Sequence, residues 1–370
     1  MNPSFSNMIN DKDTLKFTIS DINVSFVNAL RRIIISEISC VVFRTFPHKD
    51  NLCDIEINTT RMNNELIKQR LTCVPIYIND LEFPINNYLV EVDVKNDTET
   101  IKYITTEDFK IKDINSDTYL SKEQRDIIFP KNNITGDFIE FARIRPKISD
   151  DIHGEHLMFS SKFDYGIAKN NASWNMVSTC SYGFTQDIEK INNIWNDKKN
   201  ILLKEEKTLD EIEFYKKDWL LLDAKRITLK NSFDFIIETI GVYSNKNIII
   251  KACNVMFNKL QKFKNSILED QDLIYNSNST IINCYDIKLI GEDYTLGKVI
   301  EFILYNNYYK NKLSFCGFRK IHPHDSDSII RIAFNDSVNK NEIINIISEC
   351  CSVATDVFTY IMNYIETLDI

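Results

Sequence analysis

Glycine is scarce, with eight in 370 residues, and none sits in a GxGxxG or GxxxxGK(S/T) spacing. Without such loops the backbone cannot wrap a dinucleotide or a nucleoside triphosphate by its usual route, so nucleotide-dependent catalysis loses its best signature. Long apolar runs are missing as well: no stretch of about 18 apolar residues occurs. Residues 1–13 carry neither the basic start nor the apolar centre of a signal peptide, and the expectation is a protein that is neither secreted nor membrane-spanning. Positive charge is in deficit, 44 Lys and Arg against 53 Asp and Glu for a formal charge of −9. The bases are interleaved with acids, as in Lys198-Lys199 before Glu205-Glu206, which argues against a broad grip on nucleic-acid phosphates. Cysteines are present but not clustered. Cys40, Cys53, Cys73, Cys180, Cys253, Cys284 and Cys316 are scattered, as suits buried small side chains in a reducing compartment. Cys350 and Cys351 are adjacent in a helical pattern, where they are expected to point to different sides.

What is present is a chain able to bury real cores, 44% hydrophobic and 11% aromatic, and long enough for two or three domains. Heavy use of Asn, Ile and Lys reads as the imprint of an AT-rich genome. From Asp13 to Ile78 the pattern is strand, helix, strand, helix. Leu15 to Ile19 and Asp54 to Asn58 alternate with period two. Between them Phe26, Val27, Leu30, Ile33, Ile34 and Ile38 recur at three- and four-residue spacing, predicting a helix from near Ser25 with Asn23 or Ser25 as its N-cap. Arg31 and Arg32 flank that stripe, where guanidinium groups can fork to a carboxylate or carbonyl, although an Arg pair on a helix is by itself usually a solvated face. A second, short helix runs from Asn63 and ends at Pro75.

From about Asn79 to Leu222 short strand-like pieces alternate with polar loops. Phe138 to Arg145 and Tyr165 to Trp174 stand out there, the latter a Gly-containing strand end, a turn and an aromatic. Ala224 to Leu229 and Phe233 to Gly241 restore the earlier style. They precede a long helix on which Ile249, Cys253, Met256, Leu260, Phe263 and Ile267 form a heptad-like seam. After a polar stretch around Asn276-Ser277-Asn278-Ser279, a second small α+β unit begins. Its first helix carries Leu296, Val299, Ile300, Phe302, Ile303 and Leu304, with Asp293 or Thr295 as cap. A closing helix from about Lys340 to Leu368 repeats Ile343, Ile347, Cys350, Ala354, Val357, Ile361, Tyr364 and Leu368. It is the natural mate for the first seam.

The segment Asn28-Ala29-Leu30-Arg31-Arg32-Ile33-Ile34-Ile35-Ser36-Glu37 resembles the first helix of the RNA polymerase assembly subunits, the family of the bacterial α subunit and its archaeal and eukaryotic counterparts. The Arg70-Leu71 helix end before Val74-Pro75 and the Tyr165 to Trp174 segment are similar to that family too. Departures are Gln69 and Asn171 where His is frequent, and Thr72 where Gly is common. Gly291-Glu292-Asp293-Tyr294-Thr295-Leu296-Gly297-Lys298, the Phe315-Cys316-Gly317-Phe318 turn and His322-Pro323 look like the small partner subunit of archaeal and eukaryotic polymerases. A fused chain of this kind is similar to the arrangement in large nucleocytoplasmic DNA viruses.

The resemblance implies an α+β fold. Two α-subunit-type dimerisation domains, 13–78 with 224–269 and 281–370, would form an intramolecular pseudo-dimer with paired long helices, interrupted by an inserted mainly-β domain at 79–223 and a linker at 270–280. Leu30, Ile34, Ile249, Met256, Leu260, Phe263, Leu296, Ile300, Ile347, Ala354, Val357 and Ile361 would line the contact between the halves. Arg31, Arg32 and Arg70 would face a large subunit. The implied role is non-catalytic: a platform holding the largest and second-largest polymerase subunits, with other small subunits as further partners and DNA reached only through the complex. No catalytic residue and no cofactor are implied. The setting would be intracellular and reducing and, if viral, the virus factory in host cytoplasm and the virion. Relatives with a metal in the insert use about four close thiolates; here Cys180 stands alone, and His153 and His156 lack the rest of a site. The competing reading is a metal- or His-dependent hydrolase built on His322, His324, Asp325 and Asp327. That cluster has neither a nucleophile elbow nor an HExxH spacing.

Overall fold

Alternation decides the first sheet. In the computed structural model, which describes residues 2–149 and 151–368, Leu15, Phe17 and Ile19 of β2 (Thr14–Ser20) are buried together with Phe233, Phe235 and Ile237 of β12 (Thr228–Thr239). The two strands pair antiparallel with Phe17 opposite Phe235, their rings stacked at 5.1 Å. β1 (Ser4–Asp11) pairs on the outer edge of β2, and β11 (Val177–Gln186) lies beyond β12. β1 was not expected, because its sequence is polar and only one face of an edge strand has neighbours.

Two compact units partition the chain: residues 2–33, Thr179–Glu238 and 245–368 form one, and Ile34–Ser178 with Thr239–Ser244 the other. The first unit contains that sheet and most of α1 (Val24–Ser36), whose entry Asn23 caps through Oδ1, accepting from the Ser25 N–H at 2.9 Å. It also holds the long helices α6 (Asn245–Glu269) and α8 (Lys340–Glu366), which pack against each other. A second four-stranded sheet in this unit has the order β13 (Ile274–Asn276), β14 (Cys284–Leu289), β16 (Ser328–Phe334), β15 (Leu313–Arg319), with α7 (Tyr294–Tyr308) packed on β15, β16 and α8. β13 lies within the stretch read as a linker; pairing with β14 supplies the order that its polar sequence does not advertise.

In the second unit β10 (His156–Ile167) is the organising strand, because its twelve residues exceed any neighbour's length. Along one edge it pairs first with β4 (Cys53–Asn58) and then with β3 (Ser39–Phe43); along the other it pairs with β5 (Tyr88–Lys95), followed by β7 (Lys110–Asp113) and β8 (Thr118–Tyr119). β6 (Lys102–Thr105) and β9 (Glu140–Ile144) form a two-stranded sheet, and α2 (Asn64–Thr72) and α3 (Lys122–Ile128) complete the unit. Its core is aromatic: Phe109 lies 5.4 Å from Phe129 and 5.5 Å from Phe141, and Phe43 lies 5.4 Å from Phe163. Phe43 comes from the stretch before Asn79, so residues on both sides of that expected boundary share one core.

The stretch 79–223 is not all strand and loop. It ends in a helical hairpin belonging to the first unit, α4 (Ile188–Lys204) and α5 (Leu209–Leu221). Thr208 starts α5 through a reciprocal cap with Glu211, a start signal present in the sequence but submerged in charge.

Candidate functional site

Arg32 ties α1 to the start of α7 within the first unit. From α1 its Nε donates to Thr295 Oγ1 at 2.8 Å and its Nη2 to Asp293 Oδ2 at 2.6 Å, a span of 261 residues in sequence for the second bond. Asp293 is already the N-cap of α7, with Oδ1 accepting from the Thr295 N–H at 2.9 Å. One carboxylate therefore neutralises a helix start with one oxygen and holds a guanidinium with the other. Thr295 lies inside the helix and is fully buried. The side chains of Arg32 and Asp293 are 33% and 21% exposed, so solvent screening limits the pair to about 1 kcal/mol.

Glu292, the neighbouring acid, accepts from Lys259 of α6 at 2.8 Å, both side chains being largely buried. The Glu292-Asp293 pair thus receives one cation from α1 and one from α6. Close by, Gly297 leaves room for the ring of Phe318; a Cβ there would stand 2.0 Å from that ring. Phe315 to Phe318 is part of strand β15 rather than a turn, because its residues pair along β16, with Cys316 opposite Ile332 and Gly317 opposite Arg331. In the same sheet Arg331 forks to buried Asp286 at 2.7 and 2.8 Å.

Apolar contacts follow the same route as the polar ones. Phe26 of α1 lies 6.0 Å from Phe302 of α7 and 5.7 Å from Phe358 of α8. Leu30, Ile34, Ile249, Met256, Leu260, Phe263, Leu296, Ile300, Ile347, Ala354, Val357 and Ile361 are all buried. Cys350 and Cys351 are both buried despite their different directions, because α8 packs α6 on one side and α7 on another. Burial pushes the thiols of Cys40, Cys53, Cys180, Cys253, Cys316 and Cys351 up to about 12, so they stay protonated at neutral pH.

The three arginines singled out in sequence separate into different roles. Arg32 is turned onto its own chain. Arg70, at the end of α2, likewise donates to the carbonyls of Phe141 at 2.6 Å and Glu140 at 3.1 Å, tying α2 to β9. Among the described residues Arg31 bonds to Asn28 Oδ1, one turn back, through Nε and Nη2 at 3.2 and 3.0 Å, and its Nη1 makes no hydrogen bond there. Sequence reasoning missed Arg44, which pairs with Asp164, donates to the Tyr165 carbonyl at 2.7 Å and lies 4.9 Å over the Trp174 ring. Trp174 donates to Thr72 Oγ1 at 2.9 Å. Gly166 permits this packing, since a Cβ there would stand 2.5 Å from the indole. That is the physical content of the Tyr165 to Trp174 segment.

His322 and His324 lie on an exposed loop, rings 5.2 Å apart, with the His324 N–H donating to His322 Nδ1 at 3.2 Å. Asp327 is committed elsewhere: it accepts from the Gly291 N–H and from Lys288, each at 2.9 Å, and these, the N–H first, hold its carboxyl below the usual range. His156 begins β10 and meets Asp93 at 2.7 Å, so the helical spacing with His153 does not arise. Among the described residues no three His, Cys, Asp or Glu side chains gather as metal ligands, and no helix is long and apolar enough to cross a membrane.

Comparison with known proteins points to one family. The RNA polymerase Rpb3/Rpb11 dimerisation domain matches residues 16–260. Subunit 3B of DNA-directed RNA polymerases IV and V from Arabidopsis thaliana is 23% identical over 289 residues, spanning 68% of this chain and 87% of the relative. Subunit 3 of polymerases II, IV and V from the same plant is 24% identical over 212 residues, or 54% of this chain and 61% of the relative. The DNA-directed RNA polymerase subunit Rpo3 of Pyrococcus furiosus is 23% identical over 269 residues, covering 68% and 92%. With a match over some two thirds of its length, running from the strand before Arg31 and Arg32 into the seam of α6, the chain belongs to the RNA polymerase Rpb3/Rpb11 dimerisation-domain family.

Proposed function

We propose that this chain is a non-catalytic assembly platform of a multisubunit DNA-directed RNA polymerase, and that it contains both halves of the dimer on which the large subunits assemble. The observation that carries the reading is the joining of α1 and α6 to α7 and α8 within one compact unit, through Arg32 with Asp293, Lys259 with Glu292, and the α6–α8 packing. On this reading 13–78 with 224–269 is the larger-subunit-type half, 281–370 the small-partner-type half and 270–280 the connection, with 79–223 inserted. Covalent linkage keeps the second half near the first at an effective concentration on the order of mM, so the halves need not find each other by diffusion. The fused arrangement supports a viral source, with a reducing intracellular setting.

The largest and second-largest subunits are the proposed partners, and DNA is reached only through them. Arg31 is the proposed direct contact, because its Nη1 keeps donors available for a carboxylate or carbonyl. Arg32 and Arg70 act by positioning α1 and α2 behind that surface. The test is purification of the tagged full chain at moderate salt from cells expressing its native partners, followed by mass spectrometry. Two large subunits in near-equal amounts are expected; a clean chain without them overturns the reading. Arg31→Ala is expected to lower their recovery while circular dichroism and the melting temperature stay unchanged.

A further inference from the structure

We infer that Lys246 and Lys340 are positioning residues that lock the two ends of the α6–α8 pair, each supplying the cation that the other helix lacks at its C-terminus; the bearing of this on polymerase assembly rests on the reading above. The last carbonyls of an α-helix have no partner within it, and the negative end of its dipole favours a cation there. Neither long helix has a basic residue in its own last turn. Each ends instead on an acid, Glu269 in α6 and Glu366 in α8, which is the wrong sign for that end.

The cations arrive crosswise. Lys246, the second residue of α6, donates through Nζ to the carbonyls of Glu366, at 3.0 Å, and Leu368. Lys340, the first residue of α8, donates through Nζ to the carbonyl of Gln271, just past the end of α6, at 2.9 Å. The helices therefore run antiparallel, and the start of each meets the end of the other. Both lysines sit on anchored helix starts. Asn245 is buried and donates to the Asp13 carbonyl at 2.9 Å, and Asn339 caps α8. Phe5 of β1 stacks on Tyr364 at 4.4 Å, close to the Lys246 end. Lys340 Nζ also lies 3.9 Å from Asp272 Oδ1, but that carboxylate is 99% exposed and adds little.

Two ties a helix length apart do what a single tie cannot. α6 follows the first half of the chain and α8 closes the second, while Arg32 and Lys259 join the halves only at the start of α7. Between the lysines the buried residues of both helices are apolar or cysteine. Bonds at the two ends of a seam about 37 Å long resist the tilting of one helix over the other, and with it the tilting of one half over the other.

Hydrogen exchange followed by mass spectrometry on the full chain tests this, because the effect is expected to cross between helices. Lys246→Gln should speed exchange about fivefold at 361–368, the end of α8, and leave 266–272 unchanged; Lys340→Gln should do the reverse. Lys246→Arg and Lys340→Arg keep the donors and should restore the wild-type pattern. Exchange that rises everywhere, rises only at the substituted helix's own start, or does not rise overturns the inference, and so does an Arg variant as fast as its Gln counterpart. In the assembled complex, Lys246→Gln with Lys340→Gln is expected to retain less of the two large subunits, and undiminished retention overturns the positioning role. The exchange is read on the chain alone, so its failure leaves the assembly reading standing. A wild-type chain that recovers no large subunit overturns that reading and leaves the exchange pattern as it is.

Discussion

Along α6 and α8 most of the apolar residues step by three and four and finish buried, whereas along α5 they are spread around the helix between charges and only Ile212 and Trp219 are buried. Both helix pairs belong to the same unit. The difference shows what a regular stripe accomplishes. A heptad-like seam places every apolar side chain where one partner helix can cover it, so two such helices in one chain satisfy each other. An apolar ring cannot be covered by a single neighbour. The hairpin's own core withdraws one face, and the remaining apolar side chains stay exposed.

Substitution should separate the two pairs by energy. Leu260→Ala, in the seam of α6, is expected to cost about 2–5 kcal/mol in denaturant unfolding of the full chain, from lost burial plus the cavity left behind; a cost under 1 kcal/mol would show that the long helices do not depend on one another. A smaller effect is expected at the polar latch. Arg32→Ala and Asp293→Asn should each destabilise by about 1–2 kcal/mol, with a coupling of about 1 kcal/mol in the double-mutant cycle, and additive losses would mean that the two side chains act separately. Smallest of all, Phe214→Ala and Leu221→Ala on the hairpin should fall within about ±0.5 kcal/mol for the isolated chain. A large loss there would make α5 an ordinary buried helix and erase the contrast.

Where local pattern and environment agree, the elements were legible. The helices α1, α2, α6, α7 and α8 follow their apolar spacing and their caps, with Asn63 accepting from the Leu66 N–H at 2.9 Å and Asn339 from the Glu342 N–H at 2.9 Å. β2, β4 and β12 follow alternation. The hairpin was not legible, because α4 and α5 are dense in charge and α5 has no single apolar face. β1 and β13 were missed because polar edge strands take their order from the strand they pair with. Phe315 to Phe318 carried a turn-like glycine, yet pairing with β16 holds it extended.

The sequence by itself determined the family, through the Arg31-Arg32 helix, and determined the seams of α6 and α8, because helical spacing is a property of neighbouring residues. Tertiary structure alone decided what each arginine does. Arg31 and Arg32 are adjacent and chemically identical, yet Arg32 meets an acid 261 residues away while Arg31 bonds to Asn28 one turn back. Tertiary structure also decided that Phe43 shares a core with Phe109 across the expected start of the insertion. A side chain's partners across hundreds of residues depend on which faces pack together, and no local spacing encodes that.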